Sequence, residues 1–205
     1  MITYNLREFL GRSTDKEFDE TTLGTVLSSL PALSSSGPWL AGGALRRTLL
    51  GKEPDSDLDF FFKDADQLLA FRDGLENAGL VKVRETKHHM HYRGPIGESG
   101  IHRDVQLIRF AFYENAEAVI DSFDFTVCMF AFDGETLTVG DHALWDLGRK
   151  RLAVHKISYP VATMRRLLKY ANQGFTACKG ALGAILLQTA QSAELQAQID
   201  IEYVD

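Results

Sequence analysis

The stretch from residue 38 to residue 62 limits the fold of this chain more than any other. Pro38-Trp39-Leu40-Ala41 is a short apolar run stopped by Gly42-Gly43, the pattern of a strand end. Residues 44–50 follow with helical spacing, and Gly51 closes them at the C-terminal end. Residues 58–62, Leu-Asp-Phe-Phe-Phe, are rich in β-formers. Side chains alternate along a strand, so Asp57 and Asp59 project from one face about 6–7 Å apart, while Leu58, Phe60 and Phe62 enter a core.

The rest of the chain extends this mixed pattern. A helix is expected over 15–30, on the apolar positions Phe18, Leu23, Val26, Leu27 and Leu30. Another runs from Asp64 to Gly79, with Leu68, Leu69, Phe71 and Leu75 on its apolar side. Residues 80–85, 89–93 and 104–110 read as strands, with 93–100 as a long hairpin tip, and 114–122 as a helix. Residues 124–133 and 136–139 are apolar strands around an Asp133-Gly134 turn. Helices are expected from Pro160 onward and again over 177–196. Mixed elements first and helices last predict an α+β head over residues 1–156, a small mixed twisted sheet flanked by helices. A short helical tail over 157–205 follows it.

Composition narrows the function classes. A hydrophobic share of 45% and a charged share of 24% are those of a soluble globular protein of one domain. The N-terminal residues lack a signal-peptide core and no run approaches 18 apolar residues, so a cytoplasmic protein with no membrane partner is expected. Cys128 and Cys178 lie in apolar surroundings and are expected to be buried thiols in a reducing compartment. The net charge of −6 requires any nucleic-acid-binding face to be local. Two basic clusters exist, Arg149-Lys150-Arg151 and Arg165-Arg166 with Lys169.

Two carboxylates on one strand face repel each other unless a cation lies between them. A pair of divalent ions roughly 4 Å apart serves phosphoryl transfer, and Mg²⁺ suits a site with few carboxylates, with Mn²⁺ as a substitute. Gly42-Gly43 at a strand-to-helix junction lets backbone N–H groups approach phosphate oxygens, and Arg46 stands one turn inside that helix. A P-loop is excluded, because seven residues rather than four separate Gly43 from Gly51-Lys52 and Glu53 follows. A calcium loop starting at Asp55 is excluded by Phe60 at the position that needs glycine. Asp104 opens a strand suited to lie beside Asp57-Leu58-Asp59 and is the candidate third carboxylate. His88, His89, His91 and His102 lack a Cys or carboxylate at ligand spacing and read as surface or hairpin histidines rather than a zinc site.

Trp39-Leu40-Ala41-Gly42-Gly43-Ala44-Leu45-Arg46-Arg47-Thr48-Leu49-Leu50-Gly51, followed by Asp57-Leu58-Asp59, resembles the head domain of bacterial-type CCA-adding enzymes and poly(A) polymerases. These are members of the DNA polymerase β-like nucleotidyltransferase superfamily. The likeness continues in order through Asp104-Val105, Asp124-Phe125-Thr126-Val127, Asp146-Leu147, Lys150-Arg151-Leu152 and a neck helix ending in Gly174-Phe175. It implies two Mg²⁺ ions held by Asp57 and Asp59, with Asp104 on the catalytic metal. It further implies a nucleoside triphosphate held by Gly42, Gly43, Arg46 and Arg165, with Asp124 near its ribose. The implied reaction is attack of an acceptor hydroxyl on the α-phosphorus, with RNA as the acceptor that the likeness favours.

Several departures keep other readings open. Phe123 stands where the family has a ribose-side arginine, and Arg47 where it commonly has Asp. The base-reading Glu-Asp-x-x-Arg motif has no counterpart, its acids falling on Ser158, Tyr159 or Pro160. The chain continues for only about 30 residues beyond Phe175, which argues against a self-contained CCA-adding enzyme. Transfer of the nucleotide to a protein or a small molecule, and a noncatalytic nucleotide-binding module, are the alternatives. Oligomeric state is left open.

Overall fold

A computed structural model describes residues 1–13, 21–97 and 99–191. Its frame is one mixed sheet of eight strands, wider than the small sheet expected. In chain order these are β1 (Ile2–Asn5), β2 (Trp39–Ala41), β3 (Leu58–Phe61), β4 (Val81–Glu85), β5 (His89–Ile96), β6 (Ile101–Ile108), β7 (Phe130–Phe132) and β8 (Thr136–Val139). They lie side by side as β1-β8-β7-β2-β3-β6-β5-β4, so β3 stands in the interior of the sheet. Among the described strands of this sheet, only β3 and β6 pair in parallel, with Leu58 opposite Val105, Asp59 opposite Gln106 and Phe60 opposite Leu107.

The period-two pattern of β3 decides which side of the sheet is core. Leu58, Phe60 and Phe62 are fully buried. The ring of Phe71, on helix α4 (Ala65–Asn77), lies 4.7 Å from that of Phe60 and 5.6 Å from that of Phe62. The start of α4 is fixed by Asp64, whose carboxylate accepts from the Gln67 N–H at 2.8 Å. Asp57, Asp59 and Phe61 leave the other side.

The remaining helices are α1 (Leu6–Ser13), α2 (Thr22–Ser28), α3 (Gly43–Leu49), α5 (Ala116–Asp121), α6 (Ala143–Gly148), α7 (Pro160–Asn172) and α8 (Lys179–Gln191). Of the helix expected over 15–30, α2 is its later part; residues 15–20 lie outside the described residues. The same holds for the end of the helix expected over 177–196. Pro160 does open α7, where its missing N–H costs nothing. Two-residue strands Arg151–Leu152 (β9) and Thr176–Ala177 (β10) pair in parallel and tie the base of α7 to the head.

Three expectations need correction. The hairpin tip is short: β5 and β6 stay paired to Ile96 and Ile101, leaving the turn to residues around Gly97 and Gly100. Gly94, read as a turn residue, is a strand glycine pressed against Leu80, whose Cα would stand 3.0 Å from an added Cβ. The apolar run 124–133 is not one strand, because Thr126–Cys128 forms a 3-10 turn before β7. Thr126 causes that break by donating its N–H to the Ala153 carbonyl (3.0 Å) and its hydroxyl to Asp146 (2.6 Å). Cys128 is buried as expected, but Cys178 is exposed.

Asp146 is fully buried, and besides Thr126 its carboxylate is met by Arg151 Nε at 2.6 Å. Arg151→Ala would leave that charge with a single hydroxyl partner. Because the arginine side chain is itself about half exposed (48%), water can enter in its place, so the expected loss is about 2 kcal/mol, below the range for a sealed pair. A lowered midpoint in urea denaturation, with Arg151→Lys in between, is the check. No helix among the described residues is long and apolar enough to cross a membrane.

Candidate functional site

The uncovered side of β3 opens onto a cleft of about 420 Å³. Gly42, Gly43, Asp57, Asp59 and Phe61 line it from the sheet, Phe123 and Asp124 from the segment after α5, and Tyr159, Arg166 and Lys169 from α7 and its cap. The alternation predicted for β3 is therefore what builds the site, since residues 57, 59 and 61 face the cleft and 58, 60 and 62 do not.

The carboxylate pair is electrostatically strained without a cation. Burial, then the neighbouring charge of Asp57, pushes the Asp59 carboxyl up to about 7, against an opposing pull from Lys169 and Arg166. Asp57 receives a hydrogen bond from Gln106 Nε2 at 2.5 Å, so β6 orients the first carboxylate through an amide. Two oxygen-donor side chains on one rigid strand, one of them hard to ionise alone, fit a divalent ion that takes few carboxylates and completes its shell with phosphate and water.

The third carboxylate stands apart. Asp104 falls level with Asp57 in the register, on the same sheet face, but His91 Nε2 donates to its Oδ1 at 2.7 Å and Arg93 lies 3.9 Å from its Oδ2. It does not line the cleft, and the described residues contain no cluster of three or more His, Cys, Asp or Glu side chains able to hold a metal. His89, one of the histidines read as surface or hairpin residues, opens the hairpin strand β5 and is buried, and burial lowers its pKa.

At the glycines, Gly42 has φ +83°, a conformation that side chains resist, and caps α3. Its N–H is already bound to the Phe130 carbonyl (3.0 Å). Beside Gly43 lies a group that sequence reasoning missed. The Ser56 hydroxyl would stand 3.4 Å from an added Gly43 Cβ, and it is buried with no hydrogen-bond partner among the described residues. The Ser56 hydroxyl does not itself line the cleft.

Arg46 is placed differently from the triphosphate contact expected of it. Its guanidinium is buried, donates to Cys128 Sγ (3.3 Å) and Gln173 Oε1 (3.1 Å), and lies 4.3 Å from the Tyr170 ring centroid. It joins α3 to α7 rather than facing the cleft. Arg165 also lies outside the lining, on the exposed side of α7. Arg166, one residue and so about 100° further round the helix, is the one that enters. Its Nη1 donates to Asp124 Oδ2 at 2.7 Å, and Lys169 follows one turn later on the same face. Residues 166, 169, 170 and 173 share the side of α7 that turns toward the head.

A model of the family described as Gabija anti-defense 2 family protein matches residues 1–150. The chain belongs to this family. Gabija anti-defense 2 of Bacillus phage SPbetaL7 is 26% identical over 168 residues, which is 80% of this chain and 40% of that relative. Among solved structures, the Thermotoga maritima CCA-adding enzyme complexed with tRNA_CCA superposes with a TM-score of 0.61 at 18% identity. A CCA-adding enzyme in complex with CTP gives 0.64 at 16%. Each match covers 96% of this chain and 48% of the other, so the chain spans less than half the length of the relatives it matches. The fold of the CCA-adding head is thus shared, whereas the family is Gabija anti-defense 2 and not that of the CCA-adding enzymes.

Proposed function

We propose that this member of the Gabija anti-defense 2 family is a nucleotidyltransferase. It would move a nucleoside monophosphate from a nucleoside triphosphate to an acceptor hydroxyl and so act against the defence that its family opposes. The observation that carries the reading is the Asp57/Asp59 pair on one face of β3, with Asp59 pushed to about 7 until a cation joins it. Asp57 and Asp59 would hold Mg²⁺, or Mn²⁺ in its place, and the bound ion would supply positive charge to the phosphate oxygens. Lys156, Arg166 and Lys169 carry the further positive charge of the cleft.

In the reaction the acceptor oxygen forms a bond to the α-phosphorus and the bond from that phosphorus to the bridging α–β oxygen breaks. Pyrophosphate leaves and the hydroxyl proton passes to solvent. Asp124 holds Arg166 in the cleft, which positions the cation against the triphosphate. The reading stands on Asp57 and Asp59 and requires no third carboxylate, since Asp104 is engaged by His91.

RNA is the acceptor class to test first, because Lys156, Arg166 and Lys169 bring three basic side chains to one cleft in a chain of net charge −6. The overall acidity of the chain favours a protein or small-molecule acceptor as the second reading. Incubation with Mg²⁺ and each labelled triphosphate, with RNA, protein extract and small-molecule fractions as separate acceptors, decides between them. Label in RNA supports the first reading and label in protein or a small product the second. Absence of label from every acceptor, under conditions where the triphosphate binds, leaves a noncatalytic nucleotide-binding module.

A further inference from the structure

The side of β3 that carries the carboxylates also carries a ring. Phe61 lies edge-on to Phe123 at 5.7 Å and to Tyr113 at 5.8 Å between centroids. Phe123 reaches back to the glycines, its Cζ 3.7 Å from where a Gly42 Cβ would stand. At the other end, Tyr159 caps α7 and lines the same cleft. Phe123, Phe61 and Tyr159 thus line one cleft between the glycine turn and the cap of α7, with Tyr113 packed against Phe61.

Most polar side chains in the cleft already have partners. Gln106 is bound to Asp57, Arg166 to Asp124, Lys156 to Asp121, Ser122 to the Val119 carbonyl and Tyr170 to Cys128. Tyr159 is half exposed, and Phe110, also in the lining, equally so. A planar base entering this space meets aromatic side chains and few uncommitted donors or acceptors. Sites that hydrogen-bond a group reject ligands lacking it by large factors, whereas apolar contact discriminates weakly, and every base has a face to stack.

We propose that the nucleobase of the bound triphosphate rests on the aromatic side chains that line the cleft, the half-exposed Tyr159 above all, and that the cleft accepts nucleoside triphosphates without regard to base. This inference rests on the triphosphate reading above and adds what holds the base. Calorimetric titration of the full chain in Mg²⁺ with ATP, GTP, CTP, UTP and inorganic tripolyphosphate tests it.

The four nucleotides are expected to bind within about fivefold of one another and at least about tenfold more tightly than tripolyphosphate. Tyr159→Ala is expected to weaken all four by about tenfold and leave tripolyphosphate unchanged, with Tyr159→Phe restoring affinity. The Tyr159 side chain makes no capping bond to α7, so the variant retains the helix start. A preference above about 50-fold for one base, or loss confined to one base in Tyr159→Ala, would overturn the proposal. So would tripolyphosphate binding as tightly as the nucleotides, which leaves the triphosphate reading intact. Binding of neither nucleotide nor tripolyphosphate would overturn both.

Discussion

Asp59→Ala is expected to lower nucleotidyl transfer by at least about 1,000-fold, about 4 kcal/mol of transition-state stabilisation, in whichever acceptor fraction the wild-type chain labels. The size follows from position. Asp59 stands opposite Gln106 on an interior strand, with Asp57 on the same face, and no other carboxylate of the lining lies on that strand. Asp57→Ala is expected to fall into the same range, and the double variant to lose little more, because removing either ligand already disables a shared ion. The thermal midpoint should not fall in Asp59→Ala, since that substitution removes charge repulsion, whereas Asp57→Ala also gives up the Gln106 hydrogen bond. Transfer within tenfold of wild type in both single variants would refute the assignment of the pair.

The second large effect is on stability and runs through the same carboxyl. With its pKa near 7, Asp59 stays protonated in the folded chain after the unfolded chain has ionised it. Its contribution is complete below about pH 4 and is lost as pH rises from there through 7. The span of about three units corresponds to about 4 kcal/mol if expressed in full, at about 1.4 kcal/mol per unit. The measurement is the difference in unfolding free energy between wild type and Asp59→Asn across pH 4–8, which cancels the other carboxylates. Asp59→Asn should gain on wild type as pH rises and level off above 7. Mg²⁺ binding at the pair is expected to offset the wild-type disadvantage, because a bound ion favours the ionised carboxylate and displaces its proton. Added Mg²⁺ should therefore raise the wild-type melting temperature more at pH 8 than at pH 5.5, and chelation should remove the gain. A pH-independent difference between the two proteins would show that Asp59 ionises as an ordinary carboxylate.

The sequence made the carboxylate half of the site legible for a physical reason. A strand has a period of two, so Asp57-Leu58-Asp59-Phe60 can be sorted into faces without knowing any neighbour. Helix α4 was legible for a similar reason, with Asp64 as its cap and Phe71 on its apolar side. The helix half of the site was not, because a helix must be placed by rotation. An error of one residue moves a side chain by about 100°, which separates Arg165 at the surface from Arg166 in the cleft. Arg46 was misplaced because a basic residue after a glycine turn is equally suited to a phosphate or to a ring. Tyr170, 124 positions away, wins it. The four residues of β1 gave no periodic signal, and they form a strand because Thr136–Val139 offers them an edge.

Strand β3 is hydrogen-bonded on both sides, to β2 and to β6, whereas α7 meets the head through side chains and the short β9–β10 pair. The two walls of the cleft thus differ in backbone support. The strand wall is fixed by the ladders on either side of it. The helix wall is seated by side chains, Arg46 foremost among them. The first wall is the fixed half of the cleft, and the second is the half whose position a few side chains set.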